Sequence, residues 1–310
     1  MKKTTLRDVA NEAGVSIATA SYVLNRVENQ TIPPETRQRV LDAAAKLNYV
    51  QNLAARSLSK GRSNLLGVLL VGDEGDLVSK YIGYAKFIDE LEKLAVADGY
   101  HLMVARIDPN EPNFAIIAER KLDGVFLVDA REASFHSVSV HIPYGSPLIL
   151  IDGIVDDPLF RELTPDFGAL FGQVREKLGE GAPFAVVHEC YHNDGMRRAL
   201  RAASGLEDDR LWAAAKGNED GLAEFLERQA DRTIVVFNEF LALRLLGLVE
   251  NSRMLVVCTS DCAEYLPSGV GRIAPKESKA KAAFELMSAL AASHSANRPQ
   301  GRRSSKLRES

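Results

Sequence analysis

Apolar residues near the start of the chain recur at the spacing of short amphipathic helices. The first predicted helix has a buried stripe at i, i+3, i+4 and i+7, formed by Leu6, Val9, Ala10 and Ala13. Gly14 follows this stripe and permits the positive φ that ends a helix. Ser16 is a suitable N-cap for a second helix, whose apolar stripe consists of Ala20, Val23 and Leu24. The pattern therefore predicts a helix, a short turn and another helix.

A third helix is predicted after the loop "VENQTIPP". Pro34 suits the first helical position, and the apolar stripe that follows consists of Val40, Ala43, Ala44 and Leu47. Three short helices with one apolar stripe each can share one small core. The beginning of the chain is therefore predicted to be a small all-α helix-turn-helix domain.

From Leu65 onward, short apolar runs alternate with longer helical patterns. The runs "NLLGVLLVG", "YHLMVARI", "LDGVFLVDA" and "SPLILIDG" predict strands, as do "PFAVVHE", "RTIVVFN" and "RMLVVCTSD" further along. This alternation is typical of doubly wound parallel sheets. The two series of strands predict an α/β core of two lobes with a cleft between them, and ligands of such sheets bind beyond the carboxyl ends of the strands.

The composition restricts the class of protein. The chain has 310 residues, of which 46% are hydrophobic and 26% are charged, as expected for one small and one large globular domain. Its three cysteines are too few for a disulfide framework, and we find no signal peptide pattern. The apolar runs are shorter than the roughly 20 residues of a membrane span. We therefore expect a cytoplasmic protein with no membrane partner.

The charge is distributed unevenly between the two predicted domains. Residues 1–62 contain ten Lys or Arg and five Asp or Glu, whereas residues 63–310 contain 28 and 37. The outward side chains of the second helix are short, hydroxyl-bearing or apolar: Ile17, Ala18, Thr19, Ser21, Tyr22 and Asn25. A helix that enters the major groove of DNA needs such side chains and few carboxylates. The small basic domain is therefore the predicted DNA-binding domain.

Several motifs are similar to those of the LacI/GalR family of bacterial transcription regulators. The turn "AGVS", the "T.S.VLN" pattern, the "TR..V..AA..LNY" pattern and the segment "N.AARSL" occur in the order and spacing of that family. The resemblance implies that Ile17, Ala18 and Tyr22 read bases. It also implies that phosphates are held mainly by Ser16, Thr19, Ser21 and Asn25. Core packing is the alternative interpretation of Ile17 and Ala18.

The segment "NLAARSLS", residues 52–59, resembles the hinge helix of the family. The resemblance implies that two hinges fold on operator DNA across a dimer axis, and that Leu58, with Ala55 beside it, wedges into the minor groove. Eight residues do not sustain a helix alone in water, and a plain linker is the alternative interpretation. The family usually has proline where this chain has Gln51.

For the core, the resemblance implies a periplasmic-binding-protein-like domain that binds an effector. The candidate effector-binding residues each lie just past a predicted strand: Asp73, Glu74, Asp129, Asp152, His192, Asn238 and Asp261. Solvated loop charge is the alternative interpretation of each. His192 stands where sugar-binding members have arginine, and Glu239 replaces the usual aspartate after Asn238. These departures argue against a simple sugar as the effector.

The segment "HECYH" is the most suggestive pattern for an enzyme. If the strand continued, His188, Cys190 and His192 would alternate on one of its faces and could hold a metal ion or supply a nucleophile. A half-buried strand end is the alternative interpretation, and it is preferred because no fourth ligand is evident. We therefore predict no catalytic residue, no metal and no cofactor.

Together these patterns predict four segments. Residues 1–50 form the DNA-binding headpiece and 51–62 the hinge. Residues 63–294 form the effector-binding and dimerisation core, with lobes at about 63–162 and 163–270 and a last helix that returns to the first lobe; 295–310 form a basic tail. The predicted function is that of a repressor, a homodimer or a higher oligomer, that binds a pseudo-palindromic operator under control of a carbohydrate or another metabolite. The alternative is a ligand-binding protein or enzyme, derived from such a regulator, that acts without DNA.

Overall fold

The computed structural model describes residues 4–25, 30–49, 62–72, 74–142, 146–157 and 160–296. The chain forms two compact units, Met1–Ser63 and Asn64–Ser310. Within the described ranges, no helix combines the length and the apolar character that a membrane crossing requires.

The small unit contains three helices, α1 (Leu6–Ala13), α2 (Ile17–Leu24) and α3 (Pro34–Lys46). Thr5 and Asp8 form a capping box at the start of α1, and Gly14 ends this helix in the left-handed conformation with φ of 66°. Ser16 caps α2, because its hydroxyl accepts a hydrogen bond from the backbone N–H of Thr19. The three helices share one core, whose buried members are Val9, Ala10, Ala13, Ala20, Val23, Val40 and Ala43. The predicted helix-turn-helix fold is confirmed.

The large unit has two five-stranded, entirely parallel sheets. The first lobe has the strand order β2-β1-β3-β4-β5. Its strands are β1 (Leu65–Val71), β2 (His101–Ile107), β3 (Gly124–Val128), β4 (Leu148–Ile151) and β5 (Arg161–Leu163). Its helices are α4 (Val78–Ala97), α5 (Ala115–Glu119) and α6 (Phe135–His141).

The second lobe has the strand order β10-β9-β8-β6-β7. Its strands are β6 (Phe184–Glu189), β7 (Leu211–Ala214), β8 (Thr233–Phe237), β9 (Met254–Val257) and β10 (Gly271–Ile273). Its helices are α7 (Phe167–Leu178), α8 (Asp194–Ser204), α9 (Glu219–Arg228) and α10 (Glu239–Leu245). The last helix, α11 (Lys279–Ala296), packs against α4 and β4 of the first lobe.

Both faces of each sheet are covered by apolar side chains. In the first lobe, Val68 and Phe126 belong to one buried cluster, whereas their neighbours Leu69 and Leu127 belong to another. Because successive strand residues point to opposite faces, this alternation places helices on both sides of the sheet. The predicted α/β core of doubly wound parallel sheets is confirmed.

The structure also contains elements that the hydrophobic pattern did not predict. Strands β5, β7 and β10 have three or four residues each and lie at sheet edges, and helices α6 and α7 were likewise not predicted. The second sheet extends past residue 270, because β10 spans Gly271–Ile273. Such short strands carry little periodic signal and form because a neighbouring strand offers backbone partners.

Candidate functional site

The outward face of α2 carries exposed apolar and aromatic side chains. Ile17 is 42% exposed and Tyr22 is 38% exposed, and Ala18 is also exposed. The small core is complete without them, because Ala20 and Val23 supply the buried face of α2. Core packing is therefore not the role of Ile17 or Ala18 in this structure.

The polar residues of α2 are held by bonds within the helix. The Ser16 hydroxyl accepts from the Thr19 backbone N–H at 3.0 Å and lies 2.9 Å from the Thr19 hydroxyl. At the other end, the Asn25 amide donates to the backbone oxygen of Ser21 at 2.9 Å and lies 3.1 Å from its hydroxyl. These contacts fix the two ends of the exposed face. Ala55, Leu58, Gln51 and Asp73 lie outside the described residues.

In the large unit, Asp129 follows β3 and is fully buried at the seam between the lobes. Its carboxylate lies 2.6 Å from the ammonium of Lys80 on α4. It also accepts hydrogen bonds from the backbone N–H groups of His192 at 3.0 Å and Asn193 at 3.3 Å. Asp129 therefore joins the first lobe to the start of α8 in the second.

Asp76, which was not predicted as a site residue, holds the His192 ring. Oδ2 of Asp76 lies 2.9 Å from Nε2 of His192, and Oδ1 lies 2.9 Å from the Lys80 ammonium. Burial raises the pKa of Asp76, but the hydrogen bond to His192 and the charge of Lys80 outweigh burial and hold it well below its ordinary value. Burial lowers the pKa of Lys80, but Asp129 and Asp76 outweigh burial and raise it.

Asp152 follows β4 and is also engaged by groups of this chain. Its Oδ2 accepts from the Tyr84 hydroxyl at 2.8 Å and from the Lys279 ammonium at 2.8 Å. Its Oδ1 is buried and has no hydrogen-bond partner among the described residues. Lys279 begins α11, so this contact ties the last helix to the first sheet.

Asn238 and Asp261 both stabilise loops of the second lobe. Asn238 has φ of 92° and caps α10 by accepting from the backbone N–H of Phe240 at 2.7 Å. Asp261 accepts from the backbone N–H of Lys279 at 3.0 Å. The unusual Glu239 is fully buried, and it accepts from backbone N–H groups of the loop after β9: Thr259, Ser260 and Cys262. The departure from the family pattern at this position thus has a structural role.

The candidate cleft residues therefore do not converge on one open pocket. Glu74 lines an open cavity of about 1430 Å³ together with residues of both lobes. Arg106 and Asn110 come from the first lobe, and Lys216 and Arg244 come from the second. Lys80 and Lys279 were missed because they lie in helices and not after strands. Asp76 was missed although it lies in the loop after β1, and Lys80 four residues later has the spacing at which opposite charges interact at the start of a helix.

In the structure β6 ends at Glu189, as the preferred strand-end interpretation of "HECYH" expects, so His188, Cys190 and His192 do not share a strand face. Nδ1 of His188 lies 2.8 Å from the Glu189 backbone oxygen, and Cys190 lies beyond the strand with its thiol near the Tyr191 backbone oxygen. The five residues also have the spacing H-E-x-x-H, but that zinc motif requires a helix, which is absent here. Within the described part of the chain, no group of three His, Cys, Asp or Glu side chains could hold a metal ion.

A helix-turn-helix unit whose second helix has an exposed outer face, followed by a doubly wound two-lobed core, defines a class of two-domain DNA-binding regulators. A family model described as bacterial regulatory proteins, lacI family, matches residues 5–52. The chain is 32% identical over 265 residues to the HTH-type transcriptional repressor PurR of Mannheimia succiniciproducens, covering 79% of this chain and 76% of the relative. It is 28% identical over 268 residues to the sucrose operon repressor of Klebsiella pneumoniae, covering 73% of this chain and 78% of the relative.

The fold is similar to that of a lac repressor dimer solved with operator and the anti-inducer ONPF. The TM-score is 0.68 at 18% identity, and the match covers 95% of this chain and 94% of that one. The chain belongs to the LacI family of bacterial regulatory proteins, and it is a DNA-binding transcriptional regulator. The relatives named here are regulators and not enzymes, in agreement with the predicted class.

Proposed function

We propose that this protein is a repressor that binds a two-fold symmetric operator as a homodimer, and that a small molecule in the interlobe cleft controls its affinity for DNA. The observation that carries the proposal is the exposed face of α2. Ile17 and Tyr22 stand out from a helix whose other face completes the core. Ile17 and Ala18 offer apolar contact, for which thymine methyl groups in the major groove are suitable targets.

A dimer is supported by exposed apolar side chains on one side of the large unit. Val78, Ile82 and Val96 follow one stripe along α4, and they are 72%, 43% and 48% exposed. Helix α4 packs beside β2 and α10, where further exposed apolar side chains occur: Val104, Leu248 and Tyr265. Scattered exposed apolar residues are common, but a set spread over adjoining elements indicates a protein interface. A second copy of the chain suits this surface because a two-fold dimer matches a symmetric operator.

A polar effector is supported by the open cavity at the seam between the lobes. Its lining includes Glu74, Asp108, Arg106, Lys216 and Arg244 from both lobes. A ligand held by charged groups of two lobes binds more tightly to one lobe arrangement than to another, so it shifts the equilibrium between them. The effector is a carbohydrate or another polar metabolite on this proposal.

Selection of DNA sites from a random library, followed by gel shift at several salt concentrations, tests the proposal. We expect a pseudo-palindrome with half-sites about one helical turn apart, and retained sequence preference in the presence of competitor DNA. A selected site without two-fold symmetry, or binding without sequence preference, would refute it. A metabolite screen by thermal shift tests the effector, because a ligand at 100 times its Kd stabilises the core by about 2.7 kcal/mol.

A further inference from the structure

One carboxyl group joins the two lobes at the seam of the large unit. Glu189, the last residue of β6, is 8% exposed. Its Oε1 lies 2.7 Å from the hydroxyl of Ser79 on α4 in the first lobe. Its Oε2 lies 3.2 Å from the amide nitrogen of Asn238 in the second lobe. We call Ser79, Glu189 and Asn238 the interlobe latch.

The lobes approach each other closely around the interlobe latch. A Cβ atom placed on Gly83 of α4 would lie 2.6 Å from the Ser260 hydroxyl and 2.8 Å from the Asn238 amide nitrogen, both of the second lobe. The Lys80 ammonium donates to the backbone oxygen of Cys190 at 3.3 Å. Separation of the lobes would therefore break these contacts and bring the Glu189 carboxyl into water.

We propose that the lobes close with Glu189 protonated and that opening releases this proton to bulk water, so that pH near neutrality sets the balance between closed and open cores. This proposal rests on the proposed function, in which opening of the interlobe cleft regulates the effector site. On this proposal, the closed core holds a proton on Glu189 that the open core has released.

The surroundings of Glu189 favour its neutral form in the closed core. Burial is the largest effect, and together with the nearby carboxylates of Asp76 and Asp129 it raises the pKa of Glu189 from 4.5 to about 7, against the opposing effects of the Ser79 hydrogen bond and the Lys80 charge. Burial raises the pKa of Tyr191 well above 10.0, and the carboxyl groups of Asp152, Glu189 and Asp129 add to this effect.

The other titratable groups on adjoining elements have hydrogen-bond partners other than the Glu189 carboxyl. His188 precedes Glu189 on β6, and burial lowers the pKa of its imidazole. On α10, the Glu239 carboxylate accepts backbone N–H bonds from the loop after β9. His192 is held by Asp76. None of these groups contacts the Glu189 carboxyl as a second cation beside Lys80.

The sign of the pH effect follows from proton counting. An open core exposes Glu189 to water and returns its pKa toward 4.5, so between pH 4.5 and 7 the closed core binds more protons than the open one. Rising pH therefore favours opening, and the effect levels off above pH 7, where both forms are ionised. With these two pKa values the ratio of closed to open core falls about tenfold between pH 6 and pH 8.

A glutamine at position 189 reproduces the protonated carboxyl. The Ser79 hydroxyl donates to Oε1 of Glu189 and the Asn238 amide donates to Oε2. On protonation, Oε1 donates instead to the Ser79 oxygen, because a hydroxyl group both donates and accepts. The amide group of Glu189→Gln makes the same two bonds and does not titrate. This variant is therefore expected to keep the core closed at every pH in the range.

Hydrogen exchange of interlobe amides in the full-length protein, without DNA or effector, tests the proposal. The N–H of His192 donates to Asp129 and the N–H of Lys216 donates to the Gly75 oxygen, so both bonds cross the seam. After correction for intrinsic exchange rates, we expect their protection to fall about tenfold from pH 6 to pH 8 in the parent. Amides of β8, within the second sheet, serve as the internal control.

Two further variants sharpen the test. Glu264→Gln removes an exposed carboxylate that also joins the lobes through Lys86, and it should leave the pH dependence unchanged. Ser79→Ala removes a hydrogen bond that lowers the pKa of Glu189, so the transition should move to higher pH even if Glu189→Gln folds poorly. Flat protection in the parent, or the parental pH dependence in Glu189→Gln, would overturn the proposal. Neither result would contradict the proposed operator binding. Conversely, the loss of sequence preference in the gel shift would not contradict the proposed role of the interlobe latch.

Discussion

Lys80 and Asp129 form a buried ion pair across two elements of the first lobe. The ammonium lies 2.6 Å from Oδ2 of Asp129, with side-chain exposures of 5% and 0%. The same ammonium also pairs with Asp76 at 2.9 Å. One cation therefore balances two buried carboxylates, both of which contact His192 of the second lobe.

Replacement of this cation should destabilise the core strongly. Lys80→Met removes the ammonium that the buried carboxylates of Asp76 and Asp129 both contact, and the loss of one partner of a buried ion pair costs about 3–5 kcal/mol. Urea unfolding of the core transition measures the change. Lys93→Met is the matched control, because its pair with Asp89 is exposed and contributes little to stability. Equal small losses in both variants would contradict the structural role of Lys80.

Two glycine replacements should have opposite effects. Gly14 has φ of 66° after α1, so Gly14→Ala should cost the small unit about 1 kcal/mol through backbone strain alone, since no atom lies within 4 Å of the added Cβ. Gly172 lies inside α7 with equal space and no positive φ, so Gly172→Ala should stabilise the large unit by about 0.5–1 kcal/mol. Thermal unfolding of each unit in the full chain measures both, and stabilisation by Gly14→Ala would disprove the left-handed cap.

Tyr22 should determine which bases are preferred. Tyr22→Ala removes an exposed side chain from the middle of the α2 face and should change the selected sequence, whereas Ser21→Ala should weaken binding to all sequences alike. Site selection with each variant measures the difference. Leu41→Ala removes another exposed apolar side chain, on α3, and should leave the preference unchanged. A uniform loss with both α2 variants would show that the recognition face is placed incorrectly.

The apolar side of the large unit should be the dimer interface. Leu248 is 60% exposed, and Leu248→Glu should shift the protein toward monomer because a charge is buried on association. Sedimentation velocity over a concentration series measures the state. Val140 is 71% exposed on α6, away from the stripe along α4, and Val140→Glu provides the control. If both variants behave like the parent, the surface has another partner.

Leu58 is predicted to transmit the signal between operator and effector. Leu58→Gly should reduce specific DNA binding sharply, because the predicted wedge into the minor groove is lost, and should leave effector binding by DNA-free protein nearly unchanged. Linkage requires that operator and effector change each other's affinity by one factor, commonly about 5 to 150-fold, and this factor should shrink in the variant. Effector titrations with and without operator measure it. Full coupling in Leu58→Gly would exclude the hinge as the route.

The helix-turn-helix could be predicted from the sequence because its signals are local. The stripe on α1, the left-handed Gly14 and the Ser16 cap lie within a few residues of the bonds they form. The long apolar runs likewise predicted the central strands, since burial on both faces requires continuous apolar sequence. In contrast, β7 and β10 depend on backbone partners supplied by a neighbouring strand, so their own sequences gave no sufficient signal.

The partners of the cleft residues were decided by the tertiary structure. Position after a strand identified Asp129 and His192, but the bond between them joins residues 63 positions apart. Nothing in the periodicity indicated that Lys80 would occupy the space between Asp129 and Asp76, or that Glu189 would face Ser79 from the other lobe. The sequence by itself determined the three helices of the small unit and the longer strands of the core, because those depend on local spacing. Only the packing of the two lobes decided which charges are buried together, because a charge removed from water must be paired by whatever group the fold brings within reach.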